Sequence, residues 1–276
     1  MMMESLMEKD SSIIKSARTV IEINGIEKHF IDKKGQMVEV IRDITLDIKE
    51  KEFMSIIGPS GCGKSTMFNI IAGLLEPSRG GIKVNGRSVT GSDGQVGYMM
   101  QRDMLLPWRT VLDNVVIGLE IKNVPKNESH EKAMHYLKRY GLDGFAHAYP
   151  HTLSGGMKQR VALIRTLVLD PDIIFLDEPF SALDYQTKLV LQEEIINILR
   201  EFGKTVVLIT HDIGEAITMS DRIAVLSSRP TYVKKVYDVG LISELGSAMK
   251  VRSDQRYTDY FGQIWSDLDL QIGGIE

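Results

Sequence analysis

The stretch that most constrains this 276-residue chain is GPSGCGKST, Gly58–Thr66, set between the apolar run FMSII and a segment whose apolar residues recur at helical spacing. It fits the G-x-x-x-x-G-K-[ST] pattern, in the strand-then-helix context that the pattern needs. Gly58, Gly61 and Gly63 let the backbone turn with its N–H groups facing inward, and the following helix adds the positive end of its dipole. Fixed dipoles of this kind hold a polyphosphate, with Pro59, Ser60, Cys62 and Thr66 completing the cradle. Lys64 adds a mobile charge for the β- and γ-phosphates, and the Ser65 hydroxyl has the reach to ligate a Mg²⁺ bridging them. Met67, Ile70, Ile71 and Leu74, at i, i+3, i+4 and i+7, are expected to bury and anchor the loop on the core. Cys62 has two readings, a thiol activated by the helix N-terminus or a small filler within the loop.

Such a loop belongs to an α/β fold, and the surrounding pattern agrees. Short β-rich runs (TVIEING, MVEVIRDITLDI, FMSIIG) open the chain after a polar tail, residues 1–18, that is expected to be flexible. Two later runs, Ile173–Asp177 and Val206–Ile209, are continuously apolar and β-branched, as buried parallel strands are. Between them Leu191, Ile195, Ile198 and Leu199 mark an amphipathic helix from Asp184 to about Arg200, giving a β-α-β crossover. The stretch from about Met104 to Gly144 reads as helical, an insertion between parts of the sheet. Beyond Ser228, TYVKKVYDV reads as a strand and DQRYTDYFGQIWSDL as a helix, without an interpretable motif.

Composition narrows the function classes. Hydrophobic residues at 43% and charged residues at 25% exclude a disordered or fibrous chain. With 33 Lys+Arg against 37 Asp+Glu, the net charge of −4 offers no basic field for nucleic acid. A single cysteine, Cys62, allows no intrachain disulfide and no cysteine cluster, which fits a reducing compartment. Glu4, Glu8 and Asp10 stand where a secretory signal would need a basic start. The longest apolar runs, such as Met67–Leu75, fall short of the roughly 20 residues that span a bilayer, so any membrane role is expected to be borrowed from a partner.

Asp177 and Glu178 close the strand IIFLD, at the edge where parallel sheets bind ligands. There Asp177 can hold Mg²⁺ through water, and Glu178, one residue farther, can take a proton from the water that attacks a γ-phosphate. Taken alone, such a pair could simply be solvated; the phosphate loop upstream favours the chemical reading.

The segment LSGGMKQRVALIRTLVLDPDIIFLDEPFSALD, Leu153–Asp184, resembles the signature region, Walker B strand and D-loop of an ATP-binding cassette (ABC) ATPase. The resemblance runs from about Val20 to Leu226. It implies a P-loop NTPase fold of the ABC type: a mixed parallel sheet core, an N-terminal antiparallel β portion and an inserted helical subdomain, about 104–165, within an ATPase domain at 19–228, followed by an extension at 229–276. It further implies that Gln101 in YMMQ contacts metal or water near the γ-phosphate, that His211 in LITHD touches that phosphate and steadies Glu178, that Asp184 is the D-loop acid, and that Phe30 stacks on adenine. Ser154, Gly155 and Gly156 also read independently as a second anion site, because they open a predicted helix with a hydroxyl and free N–H groups at its positive end. The plainer reading is a serine-capped helix with glycines for packing. The family solution for two such sites is a head-to-tail dimer, with each ATP between Lys64 of one copy and Ser154 of the other.

Around Gln101, QRDMLLPWRTVLDNVVIGL is similar to the nitrate, sulfonate and taurine branch of ABC importers, while Met99 and Met100 replace its usual branched apolar pair. This implies membrane permease subunits as partners, docking at Pro107 and Trp108, and indirectly a solute-binding protein. It also implies a peripheral position on the cytoplasmic face of the membrane. The alternatives are a non-transport ABC ATPase, such as an iron–sulfur assembly ATPase, and a phosphate-loop kinase. The absence of a long heptad insertion, a second cassette or a basic arm argues against most of the former, and the signature helix argues against the latter.

Overall fold

In the computed structural model, residues 18–91, 96–181 and 183–268 are described. The tail expected at 1–18 therefore lies outside the described residues except for Arg18. In chain order the strands are β1 (Thr19–Ile31), β2 (Met37–Lys49), β3 (Phe53–Ile57), β4 (Arg79–Val84), β5 (Arg87–Ser88), β6 (Val96–Met99), β7 (Ile173–Asp177), β8 (Thr205–Thr210), β9 (Arg222–Leu226) and β10 (Val233–Asp238). The described helices are α1 (Lys64–Ile71), α2 (Val111–Ile121), α3 (Lys126–Arg139), α4 (Gly155–Leu167), α5 (Tyr185–Glu201), α6 (Ile213–Met219), α7 (Leu241–Leu245), α8 (Ala248–Ser253) and α9 (Gln255–Asp267). They fall into two compact units, one of residues 1–93, 203–205 and 210–276, the other of 94–202 and 206–209.

In the first unit β1 and β2 pair antiparallel, burying Val20, Ile21, Ile23 and Ile26 from one and Val40, Ile41, Ile44, Leu46 and Ile48 from the other. They belong to a four-stranded sheet ordered β2-β1-β4-β5. β4 and β5 leave no signal in the sequence: glycines in RGGIKV erase the side-chain alternation that marks a strand, and β5 is two residues long. β3 is buried along its whole length, and β9 runs parallel to it. β10 pairs antiparallel with β9. The strand and helix read in the C-terminal sequence are thus present as β10 and α9, and α7, α8 and α9 all pack on α6.

α1 follows β3 and buries Met67, Phe68, Ile70 and Ile71. Leu74 departs from expectation: it is 54% exposed. The helix stops at Ile71, and Gly73 turns into the left-handed region at φ 72°, so the helical period no longer applies at Leu74.

In the second unit the strand order is β8-β7-β6, with β6 and β7 parallel and Tyr98 edge-on to Phe175 at 6.3 Å. α2, α3 and α4 lie in the chain between β6 and β7 and form the inserted helical region, α2 packing on both others. α5 supplies the crossover between β7 and β8, burying Leu191, Ile195, Ile196 and Leu199. Asn114, fully buried on α2, accepts from Leu106 N and donates to the carbonyls of Leu106, Arg109 and Thr110. These bonds fix the loop that carries Pro107 and Trp108, and Trp108 is left 71% exposed.

The contrast on α1 is measurable by urea unfolding. Ile71→Ala is expected to cost about 2–5 kcal/mol, and Leu74→Ala no more than about 0.5 kcal/mol, since it removes an exposed side chain.

Candidate nucleotide-binding site

The loop between β3 and α1 is built around its lysine. Lys64, the first residue of α1, is only 7% exposed, and its Nζ donates to Gly58 O at 2.9 Å and Pro59 O at 3.0 Å. Loop carbonyls thus satisfy two of the three ammonium protons and hold the charge within the loop, where an anion's oxygens can compete for it. Gly63 sits at φ 129°, a conformation that favours glycine, and a Cβ there would crowd Val40 Cγ1 at 3.1 Å. Cys62 is buried, and its sulfur fills the space beside Gly58, in keeping with the filler reading. Ser60, Gly61 and Ser65 are exposed, Pro59 and Thr66 half-buried. Two contacts reach the loop from the β9–β10 connection: Arg229 Nη2 donates to Gly61 O at 2.6 Å, and Thr231 Oγ1 donates to Cys62 O.

Elsewhere in the same unit, Phe30 stands near the end of β1, 42% exposed, with Lys28 Nζ 5.2 Å from its ring centroid. His211 follows β8 and is exposed. The residues on either side of it are tied to the first turn of α6. Asp212 N donates to Thr210 Oγ1 at 3.0 Å, Thr210 Oγ1 donates to the buried Glu215 carboxylate, and Asp212 Oδ1 caps α6 through Glu215 N at 3.1 Å.

The second unit gathers the acids and the serine–glycine turn. Asp177, half-buried at the end of β7, accepts from Tyr98 OH at 3.3 Å. Burial, reinforced by the Asp177 charge, pushes the Tyr98 phenol well above its ordinary pKa, so it stays a donor. Glu178 occupies the left-handed region at φ 45°, a strained place for a glutamate. It is held there by its N–H on Ile209 O at 2.9 Å and by Ser181 Oγ on its carbonyl at 3.1 Å. Gln101 Nε2 donates to Glu178 Oε2 at 3.1 Å, so the two residues read as acting on one water are in contact.

Ser154 is the N-cap of α4: its backbone is extended and its Oγ accepts from Met157 N at 3.3 Å. Ser154 and Gly155 are exposed, which leaves the positive end of a thirteen-residue helix open to solvent. A Cβ on Gly156 would lie 3.0 Å from Thr187 Cγ2 of α5, so a small residue lets the two helices approach here. Thr187 N also donates to Asp184 Oδ1 at 3.0 Å, which caps α5, and hydrogen bonding from Thr187 holds the Asp184 carboxyl below its ordinary range.

No group of three or more His, Cys, Asp or Glu among the described residues could cage a metal. The candidate donors Ser65, Gln101 and Asp177 are hard oxygen ligands too few for a protein cage. Ser65 belongs to the first unit and Gln101 and Asp177 to the second, and each by itself offers the hard oxygen chemistry that Mg²⁺ takes. No sequence motif marks Tyr98, Thr187, Arg229 or Thr231. Thr231 lies 169 residues from its loop partner, and no local pattern connects them.

Residues 41–181 match the ABC transporter family. The chain belongs to that family. It is an ABC ATPase, 45% identical over 237 residues to an uncharacterized ABC transporter ATP-binding protein of Methanocaldococcus jannaschii, covering 85% of this chain and 88% of that protein. The taurine import ATP-binding protein of Roseobacter denitrificans is 38% identical over 264 residues, 94% of this chain and 98% of its own length. An ATP-binding cassette solved as a dimer in a post-hydrolysis state with ADP and Pi superposes with a TM-score of 0.70 at 33% identity, covering 79% of this chain and 98% of that one.

Replacing Lys64 tests the loop of this ABC ATPase. Lys64→Ala removes the ammonium but leaves the glycine backbone, and titration calorimetry is expected to show ATP affinity falling at least about tenfold, as for loss of a charge-assisted contact. Unchanged ATP binding would contradict the assignment.

Proposed function

We propose that this ABC ATPase is the nucleotide-binding subunit of a membrane importer for nitrate, a sulfonate, taurine or a related small organic solute. The observation that carries this reading is the presence, in one chain, of two helix N-termini entered from glycine-rich turns: α1 after the loop at Gly58–Gly63, and α4 with its Ser154 cap. The likeness to a taurine import protein supports the solute class. The dimeric relative supports pairing of two copies, each ATP lying between Lys64 of one and Ser154, Gly155 and Gly156 of the other. ATP then joins the copies, and its hydrolysis releases them.

Within that reading the loop amides and Lys64 bind the β- and γ-phosphates, and Phe30 stacks on the base. Ser65, Gln101 and, through water, Asp177 would hold Mg²⁺, which when bound would supply positive charge to the phosphate oxygens. Glu178 accepts the proton of the attacking water, oriented by its contact with Gln101. His211 touches the γ-phosphate, and Asp184 serves the interface between copies. The exposed Pro107 and Trp108, on a loop stiffened by Asn114, form the docking point for a permease. None of the described helices is long and apolar enough to cross a membrane. The likeness to import ATP-binding proteins supports a place at the cytoplasmic face beside that permease, with any solute-binding protein acting from the far side.

Glu178→Gln is the discriminating variant, because it keeps the shape and the Gln101 contact while removing the proton acceptor. Its turnover is expected to fall at least about a hundredfold, in the range of general-base loss, with ATP retained and an ATP-dependent dimer persisting in light scattering. A variant that stays monomeric in ATP would contradict the sandwich. Co-purification with soluble scaffold proteins in place of a permease would favour a non-transport ABC ATPase.

A further inference from the structure

The β9–β10 connection does more than link two strands. A trans peptide points its C=O and N–H in opposite directions, so a donor that captures a carbonyl also aims the N–H of the next residue. In the phosphate loop the carbonyl of Cys62 shares a peptide plane with the N–H of Gly63, and the carbonyl of Gly61 shares one with the N–H of Cys62. Both carbonyls are captured from the same side chain-bearing segment: Thr231 Oγ1 donates to Cys62 O, and Arg229 Nη2 donates to Gly61 O at 2.6 Å.

Thr231 is itself fixed. It is buried, its N–H donates to Val40 O at 2.9 Å and its carbonyl accepts from Arg42 N at 2.8 Å, which ties it to β2. Val40 is also the residue whose Cγ1 closes the space over Gly63. The Thr231 hydroxyl must be the donor in its loop contact, because a carbonyl only accepts. Cys62 N–H donates to Pro59 O at 3.3 Å, a long bond that a phosphate oxygen would displace. If either plane turned over, a carbonyl oxygen would face the phosphates where an N–H is needed.

We propose that Thr231 and Arg229 are positioning residues for the phosphate loop, holding its Cys62 and Gly63 N–H groups toward the phosphates. This rests on the phosphate-loop reading and deepens it. Thr231→Val keeps the shape and removes the donor, and Thr231→Ser restores it. The full-length chain is titrated with MgATP by calorimetry and assayed for KM and kcat. Thr231→Val is expected to weaken ATP binding and raise KM about tenfold, as for loss of one buried hydrogen-bond donor, with kcat at saturation little changed and Thr231→Ser close to wild type. Arg229→Met, at an exposed position that leaves folding intact, is expected to weaken binding by about threefold. Wild-type affinity in both Thr231→Val and Arg229→Met would overturn the brace while leaving the loop assignment standing. Equal loss in Thr231→Ser and Thr231→Val would overturn it in favour of simple packing. A wild-type chain unable to bind ATP would overturn both.

Discussion

A triphosphate can be held tightly only where several backbone N–H groups converge on one place, and a chain that turns its amides outward in this way gives up the hydrogen bonds of a strand or helix. The first unit suspends the loop at Gly58–Gly63, proposed for that task, between two regular elements. The fully buried β3 delivers the chain, and α1, anchored by Met67, Phe68, Ile70 and Ile71, takes it up again. Lys64 lies inside the turn on the carbonyls of Gly58 and Pro59, so the cation is partly desolvated before any anion arrives. The positive φ at Gly63 strains any other residue, and Val40 leaves little room for a side chain there.

The second unit applies the same logic to charge of the opposite sign. β7 carries Asp177 to the end of a buried strand, where Tyr98 remains protonated and donates to it. Glu178 is kept in a strained backbone conformation by bonds to its own N–H and carbonyl, which fixes where its carboxylate meets Gln101. Ser154 caps α4 and leaves the helix dipole open, while Asp184 caps the neighbouring α5, with Thr187 touching both features. A capping role and a ligand-binding role are compatible at Ser154, since its hydroxyl accepts from Met157 N and still has a proton to donate.

The sequence revealed what is periodic or carried by a local string. The glycine loop, the buried runs at β7 and β8, the α5 crossover and the serine-capped α4 all leave such traces. Leu74 departs from the helical pattern because the period does not continue across Gly73, where the backbone leaves the helix. β4 was invisible because its two glycines remove the alternation, and β6, at four residues, is too short to show a period. The contacts of Tyr98, Arg229 and Thr231 are set by tertiary structure across 79 to 169 residues of chain, and no composition or spacing rule reaches that far.

On this account two anion sites of one polypeptide act on a single nucleotide only when two copies assemble. The most direct measurement is a crystal structure with Mg²⁺ and a non-hydrolysable ATP analogue. It should show the γ-phosphate held by Lys64 of one copy and, within about 3.2 Å, by the Ser154 hydroxyl or a Gly155 or Gly156 amide of the other. A closed dimer in which the nucleotide sits on the loop while Ser154 faces away from every phosphate would contradict it.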